Sequence, residues 1–384
     1  MSVDLQTGPA PSPRALKPPK LREARFEDYA QIASLASKFD LHTESYPAWT
    51  HLWANNPACR ASHAKFPIGW VLDVEGSITG YLGNILLAYR LEGKTYLAAT
   101  TRAWVVDTPY RSYSPLLLAT YFQQRNVDLF LSTTVNSQSE AAYSSFQSTR
   151  VPVGAWDRTL FWITNYRGFI ASYLRKSASS SLMQPLSYPL SAGLYLRDQI
   201  QESHLPKDDG VPVAPALGFD GRFQPFWERL LEQKSEILIA DRSQEALDWH
   251  FKFALQQNRA WIYTVEGKSG LIAYAVFLRY DFPQVGLTRM RLADFQCIAP
   301  ENSQNILTAL LATATERCRK ESIHMFELVG VTPALENRLQ SASPHNRALG
   351  SWLSYYKVNN ASLAGVLKRT EVWEPSLFDG DSSL

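Results

Sequence analysis

The sequence predicts a mixed α/β fold, with two related domains following one another along the chain. Three observations point there. The chain has 384 residues, 45% hydrophobic and 19% charged, which is ordinary globular composition at a length that suggests two domains. A run of elements in the first half returns in the same order, with matching residues, about 190 residues later. Each run alternates helical with strand-length patterns and reads helix, hairpin, long strand, loop, helix, strand.

Residues 1–20, "MSVDLQTGPAPSPRALKPPK", hold five prolines and no apolar run, and read as a flexible tail without the apolar region of a signal peptide. A first domain is expected over 21–165. It opens with a helix at Asp28–Lys38, where Tyr29, Ile32, Leu35 and Ala36 share helical spacing. Residues 166–221 carry "SASSS", several prolines and "KDDG", the composition of a linker, with short helices around Phe169–Lys176 and Tyr195–Gln201. The Phe169–Lys176 segment is apolar on one side and basic at its end; it suits a membrane surface or packing between domains. A second domain is expected over 222–370, with helical patterns at Phe226–Leu231 and Ala246–Leu255. Residues 371–384 form a tail.

The repeat is carried by specific residues. "GWVLDVEGSITGYLGNILLAY" from Gly69 and "AWIYTVEGKSGLIAYAVFLRY" from Ala260 both read as β-hairpins around a Val-Glu-Gly turn. Trp70, Glu75, Gly76 and Tyr81 answer Trp261, Glu266, Gly267 and Tyr274. "TRAWVVD" (Thr101–Asp107) answers "TRMRLAD" (Thr288–Asp294), each followed by a loop and a helical pattern, Leu116–Arg125 and Ile306–Lys320. Next come the strands "VDLFLSTTV" and "IHMFELVGV", and then a closing strand, "LFWIT" in the first half and "WLSYYK" in the second. Duplication explains four matching elements in order better than chance does.

Between the long strand and its helix lies "VVDTPYRSYSPLLLATYF", Val105–Phe122. A strand ending at Asp107, an arginine at Arg111 and a helix opening at Pro115 suit a phosphate, which seeks free N–H groups at a helix N-terminus. Such loops usually hold glycines, because the backbone must approach closely. Here Ser112, Ser114, Pro115 and Leu116 occupy the stretch. Pro115 has no N–H, although it suits a first helical turn, and Leu116 narrows the approach. Three readings stay open: a working cofactor loop, a loop that kept its shape and lost its ligand, and an unrelated turn. The second copy, "DFQCIAPENSQN", has neither a basic residue nor glycine there.

The order of elements, with a strand–loop–helix phosphate site in the middle, resembles the GNAT acyltransferase superfamily. Two copies in one chain resemble the tandem arrangement of FemABX-type aminoacyltransferases and protein N-myristoyltransferases. Val106, Tyr110 and Arg111 match the family's loop consensus; Pro109 is shifted one place. Asn136, followed seven residues later by Tyr143, matches its next signature. The resemblance implies two GNAT-like domains, of which the first binds acetyl-CoA or another acyl-CoA as substrate, with no metal. Implied ligand contacts are Val105, Val106, Arg111, Ser112, Tyr113, Ser114 and Asn136. Tyr143 is implied as the general acid that protonates the departing sulfur. Asp107, ending the central strand, is a candidate acceptor of the amine proton; a helix cap or turn aspartate is its other reading. The second half is implied to build the substrate side of a shared cleft.

Asp294 answers Asp107 by the repeat, and Glu327 interrupts an apolar run in "MFELVG". Both are candidates to hold the acceptor. A carboxylate such as Glu327 is otherwise paired with an arginine, Arg289 or Arg291. In "WEPSLFDGDSSL", Asp379 and Asp381 flank a glycine; a solvated tail, with Trp373 docked on the second domain, is expected rather than a cation site, since calcium needs about 6–8 oxygens.

Thirty-eight basic against 36 acidic residues leave a net charge of +2, and no nucleic-acid partner is expected. That balance argues against an aminoacyl-tRNA donor. The three cysteines, Cys59, Cys297 and Cys318, are odd in number and far apart, so a reducing, cytoplasmic setting is expected and no disulfide framework. No segment reaches the roughly 20 apolar residues of a membrane span. The expected activity is an acyl-CoA-dependent N-acyltransferase, an N-acetyltransferase type, acting on a small-molecule amine or an amino sugar, with a bacterial cell-surface precursor as one candidate. The alternatives are a FemABX-like enzyme and a non-catalytic binding protein on the same fold.

Overall fold

A computed structural model describes residues 16–41, 43–62, 64–152, 158–177, 187–200, 210–330, 339, 345–348 and 353–384. The proline-rich residues 1–15 and Gln201 lie outside the described residues. The first half contains β1 (Lys20–Glu23), α1 (Tyr29–Ser37), α2 (Tyr46–Ala54), α3 (Pro57–Ala61), β2 (Gly69–Val74), β3 (Ser77–Leu91) and β4 (Lys94–Val106). It continues with α4 (Ser114–Phe122), β5 (Leu129–Val135), α5 (Ser137–Ser145), β6 (Thr149–Arg150) and β7 (Arg158–Ile163). A helical pair follows, α6 (Tyr166–Ser177) and α7 (Ser187–Ile200). The second half holds β8 (Ala214–Ala216), α8 (Phe223–Gln233), β9 (Ile239–Ala240), α9 (Gln244–Gln256), β10 (Ala260–Gly267), β11 (Gly270–Arg279), β12 (Arg289–Cys297), α10 (Ser303–Lys320), β13 (Met325–Val329), β14 (His345–Ala348) and β15 (Leu353–Val358).

Both hairpins form as the repeat predicts. β2 and β3 close on Val74↔Ser77, with Glu75 at φ 52° and Gly76 at φ 88°, the paired left-handed conformation of a tight hairpin turn. Two mixed sheets result. The first runs β1-β2-β3-β4-β5-β15-β6, with β9 added on β3; the second runs β14-β7-β13-β12-β11-β10-β8.

The order corrects the assignment of the closing strands. β7, read as closing the first half, pairs antiparallel with β13 of the second sheet. β15, read as closing the second half, pairs antiparallel with β5 of the first. Each half covers the open edge of the other, and unpaired N–H and C=O groups at a strand edge favour such cover. The halves therefore interlock, and the sequence boundary at 165 falls after a strand of the second sheet. One buried core draws on both halves, joining Tyr81, Ile85 and Trp49 with Tyr274, Phe226 and Leu247. Two further cores lie under α4 and α5 and under α10.

The linker helices are longer than expected, and α6 packs on the second sheet. Phe169 stacks on Phe161 at 6.4 Å, and Gly168 comes so near His324 that an added Cβ would lie 2.2 Å from its Nε2. Residues 371–384 are not a solvated tail. Trp373, Leu377 and Phe378 are buried, and the Trp373 ring packs at a tilt on Tyr356 of β15, in the first sheet, with centroids 5.3 Å apart. Their apolar area outweighs the polar composition around them. No described helix is long and apolar enough to cross a membrane.

Candidate active site

β4 and β5 run parallel but pair only at Ala98↔Leu129 and Ala99↔Phe130, and then diverge towards Val106 and Val135. In the mouth of this gap the Thr101 hydroxyl lies 3.0 Å from the Ser132 hydroxyl and 2.9 Å from that of Tyr143. On the other side of β4, the register to β3 slips between Tyr81↔Val105 and Gly83↔Arg102, and Ala103 takes φ 51°. A non-glycine residue there is strained, and the bulge breaks the β3–β4 ladder at that point.

Tyr143 reaches the gap from α5, which begins at Asn136. The Asn136 side chain accepts from the Ser139 N–H at 2.9 Å, so this residue serves as the helix cap. Tyr143 is buried, with its ring against Trp104, Phe122 and Tyr355. Burial pushes its phenol up to about 12, so it remains protonated at neutral pH.

The stretch after β4 is compact rather than looped. Thr108–Tyr113 forms a 3₁₀ turn that runs directly into α4. The Ser114 N–H is spent on the Arg111 carbonyl, and Pro109 and Pro115 have none. Arg111 and Ser112 are exposed at the turn, Tyr113 and Ser114 partly so, and Leu116 is 46% exposed over it. Val105 and Val106 are buried on opposite faces of the sheet. The turn therefore offers the Arg111 guanidinium and the Ser112 and Ser114 hydroxyls, with few open N–H groups. Asp107 precedes the turn and pairs with Lys38 Nζ at 3.0 Å.

Four residues that the sequence reading did not place complete the gap. Arg102 of β4 pairs with Glu44 and donates to the main-chain oxygens of Asp381 and Leu384, both at 3.1 Å. Thr134 of β5 donates to the Asp381 carboxylate at 2.9 Å. Burial raises the Asp381 carboxyl above its ordinary range, against the pull of Arg102 and Thr134. Its negative field adds to the rise at Tyr143. The turn into the gap needs Gly380, at φ 117°, where a Cβ would lie 2.1 Å from Thr133 Oγ1. The apolar Leu377-Phe378 pair ahead of Gly380 was the available signal that this segment folds inward.

Asp294 and Glu327 do not join this gap, nor do they face a cleft. Asp294 is fully buried and accepts from Arg242 at 2.9 and 3.0 Å, Tyr274 at 2.7 Å and Ser376 at 3.0 Å. Burial alone would raise its carboxyl; Arg242 outweighs that and holds it below its ordinary range. Asp379 shares the same guanidinium at 3.3 Å. Glu327, also fully buried, is ringed by Arg291 at 2.7 Å, Arg289 at 3.7 Å and Arg347. Both carboxylates hold strands together, the fate of a charge inside an apolar run. Among the described residues, no group of three or more His, Cys, Asp or Glu is placed to hold a metal ion.

No family model matches the chain, and no curated protein matches its sequence. Solved structures do share its architecture. Saccharomyces cerevisiae N-myristoyltransferase with bound myristoyl-CoA matches with a TM-score of 0.57 at 13% identity, over 92% of this chain and 81% of that one. A probable N-acyltransferase from Enterococcus faecalis matches with a TM-score of 0.55 at 10% identity, over 89% and 73%. A GCN5-related N-acetyltransferase from Anabaena variabilis matches with a TM-score of 0.52 at 13% identity, over the same shares. At these identities the likeness is one of fold: the chain is a mixed α/β protein with the architecture of the GCN5-related N-acyltransferases.

Proposed function

We propose that the protein is an acyl-CoA-dependent N-acyltransferase that acts on the amine of a small polar acceptor. The observation that carries this reading is the parting of β4 and β5, with the buried, protonated Tyr143 phenol bonded to Thr101 of one strand and the Asp381 carboxyl bonded to Thr134 of the other. Acyl transfer from a thioester to an amine needs a base for the ammonium proton, donors for the oxyanion and an acid for the leaving thiolate. Asp381, whose raised carboxyl binds protons more readily, takes the ammonium proton. Asp107 at the rim, held by Lys38, is the second candidate for that role. The main chain at the Ala103 bulge faces the thioester oxygen. Tyr143 supplies the proton to the departing sulfur.

The donor's phosphates rest on Arg111, Ser112, Tyr113 and Ser114, and its pantetheine arm lies along Val105 and Val106, with Asn136 holding α5 beside it. An amino sugar suits the polar acceptor. A second reading, a binding protein that has lost the donor, is favoured by one feature: the continuous 3₁₀ turn and Pro115 leave few N–H groups for phosphate. Titration of acetyl-CoA, a longer acyl-CoA and free coenzyme A, followed by thermal shift, separates the two. A rise in melting temperature with any of them is expected; none with all three leaves only the second reading.

A further inference from the structure

A small space lies one residue along β5 from the gap. It is lined by Tyr89 of β3, Thr133 of β5, Ser354 of β15 and Asp379 from the inward-folded segment. Its volume is about 10 Å³, room for one water-sized group. The Tyr89, Thr133 and Ser354 side chains are no more than 3% exposed in any case, and among the described residues none of their three hydroxyls has a hydrogen-bond partner. A buried polar atom without a partner costs about 1–3 kcal/mol, so three on residues that line one space mark a place for an occupant.

We infer that this space is a recognition site for a primary ammonium group. An –NH₃⁺ carries three donors and no acceptor, and three hydroxyl oxygens with free lone pairs match it donor for acceptor. The surroundings favour a cation. Asp294 and Asp379 share the single guanidinium of Arg242, and burial raises the Asp379 carboxyl against that pull, so a second cation beside Asp379 would favour its charged form. His250, stacked on Phe378 at 4.2 Å, adds no positive charge, because burial lowers its imidazole to about 3. Leu131, Val151 and Leu238 complete the lining of the space. Thr133 touches Gly380, and Thr134 holds Asp381, so an amine bound here lies beside the candidate base. The role as acceptor pocket rests on the acyltransfer reading; the binding of an ammonium does not.

The test uses the full chain without any acyl-CoA. Melting temperature is followed with methylammonium chloride and, at equal ionic strength, tetramethylammonium chloride, which has no N–H. Saturating methylammonium is expected to raise it by about 2 °C or more, and tetramethylammonium to leave it unchanged. In the Thr133→Val, Ser354→Ala double variant the methylammonium response is expected to vanish. That variant should melt no lower than wild type in plain buffer, since it removes hydroxyls that bond to nothing. Equal shifts with both cations would overturn the site, as would a response that survives in the variant. A variant that melts earlier in buffer, with no cation response in wild type, would mean that the hydroxyls hold a water. Loss of this site leaves the coenzyme A titration untouched, so the two readings fail separately.

Discussion

The Thr134 hydroxyl donates to the Asp381 carboxylate at 2.9 Å, while the Asp381 carbonyl accepts from Arg102 at 3.1 Å. One residue thus bridges β5 and β4 where these strands have parted. A carboxylate lies where the fold would otherwise leave an open slot. Its position gives Asp381→Asn a clear outcome. Asparagine keeps an acceptor for Thr134 and removes the base. Turnover is expected to fall by about 100-fold or more with little change in donor affinity. Steady-state kinetics checks this, and turnover near wild type would move the base to Asp107.

The same substitution has a pH signature. Burial raises the folded Asp381 carboxyl above its unfolded value, so its contribution to stability is full below the unfolded pKa. That contribution is lost as pH rises through the folded pKa. Asp381→Asn removes the dependence. Its melting temperature relative to wild type is therefore expected to increase between acid and neutral pH. A constant difference across that range would place the carboxylate in solvent.

Tyr143→Phe is expected to lower turnover by about 100-fold or more, again with donor affinity kept. Folding should lose only about 1 kcal/mol, because the Thr101 hydroxyl keeps its bond to Ser132. The phenol stays protonated to about 12, so the wild-type rate should show no loss from this group below that pH. Unaltered turnover in the variant would leave the tyrosine a packing role among Trp104, Phe122 and Tyr355.

Glu327→Gln tests the opposite claim, that a buried carboxylate can be structural alone. It leaves Arg291, Arg289 and Arg347 facing one another without their counter-charge. The expected cost is about 3–5 kcal/mol of stability, read from a denaturant midpoint. Turnover per folded molecule should not change. A stable variant with reduced affinity for the acceptor would return Glu327 to the substrate side.

Why some of this was legible in the sequence and some was not follows from what local patterns carry. The hairpin from Gly69 and its counterpart from Ala260 were visible because turn residues and strand periodicity are short-range properties. The exchange of β7 and β15 was not, because their apolar runs state that they are strands and nothing about which edge receives them. Tyr143 was named only because the family resemblance implies a tyrosine seven residues after Asn136; its local sequence does not single it out. Asp381 was missed because its neighbours Gly380, Ser382 and Ser383 have the composition of a solvated end. Only Leu377 and Phe378 argued otherwise. Asp294 was placed by analogy with Asp107, yet the partner that decides its role, Arg242, lies ahead of the matched stretches that begin at Ala260.

The turn from Thr108 to Tyr113 allows a last test. Arg111 is exposed, so Arg111→Ala should leave folding intact and weaken coenzyme A binding by about 1.5–3 kcal/mol, the worth of a charge-assisted bond. Ser114→Gly with Leu116→Gly acts in the other direction. It removes the side chain that stands over the turn and frees the backbone to approach a phosphate. Leu116 is 46% exposed, so little apolar burial is lost; the main cost is helix propensity, about 1 kcal/mol for each glycine in α4. The expected result is tighter coenzyme A binding together with a lower melting temperature, measured by calorimetric titration and thermal denaturation. These two effects have opposite signs and separate cleanly. A double variant that melts earlier and binds no coenzyme A at any concentration would show that side chains were not what closed the site. The binding-protein reading would then stand ahead of the enzyme.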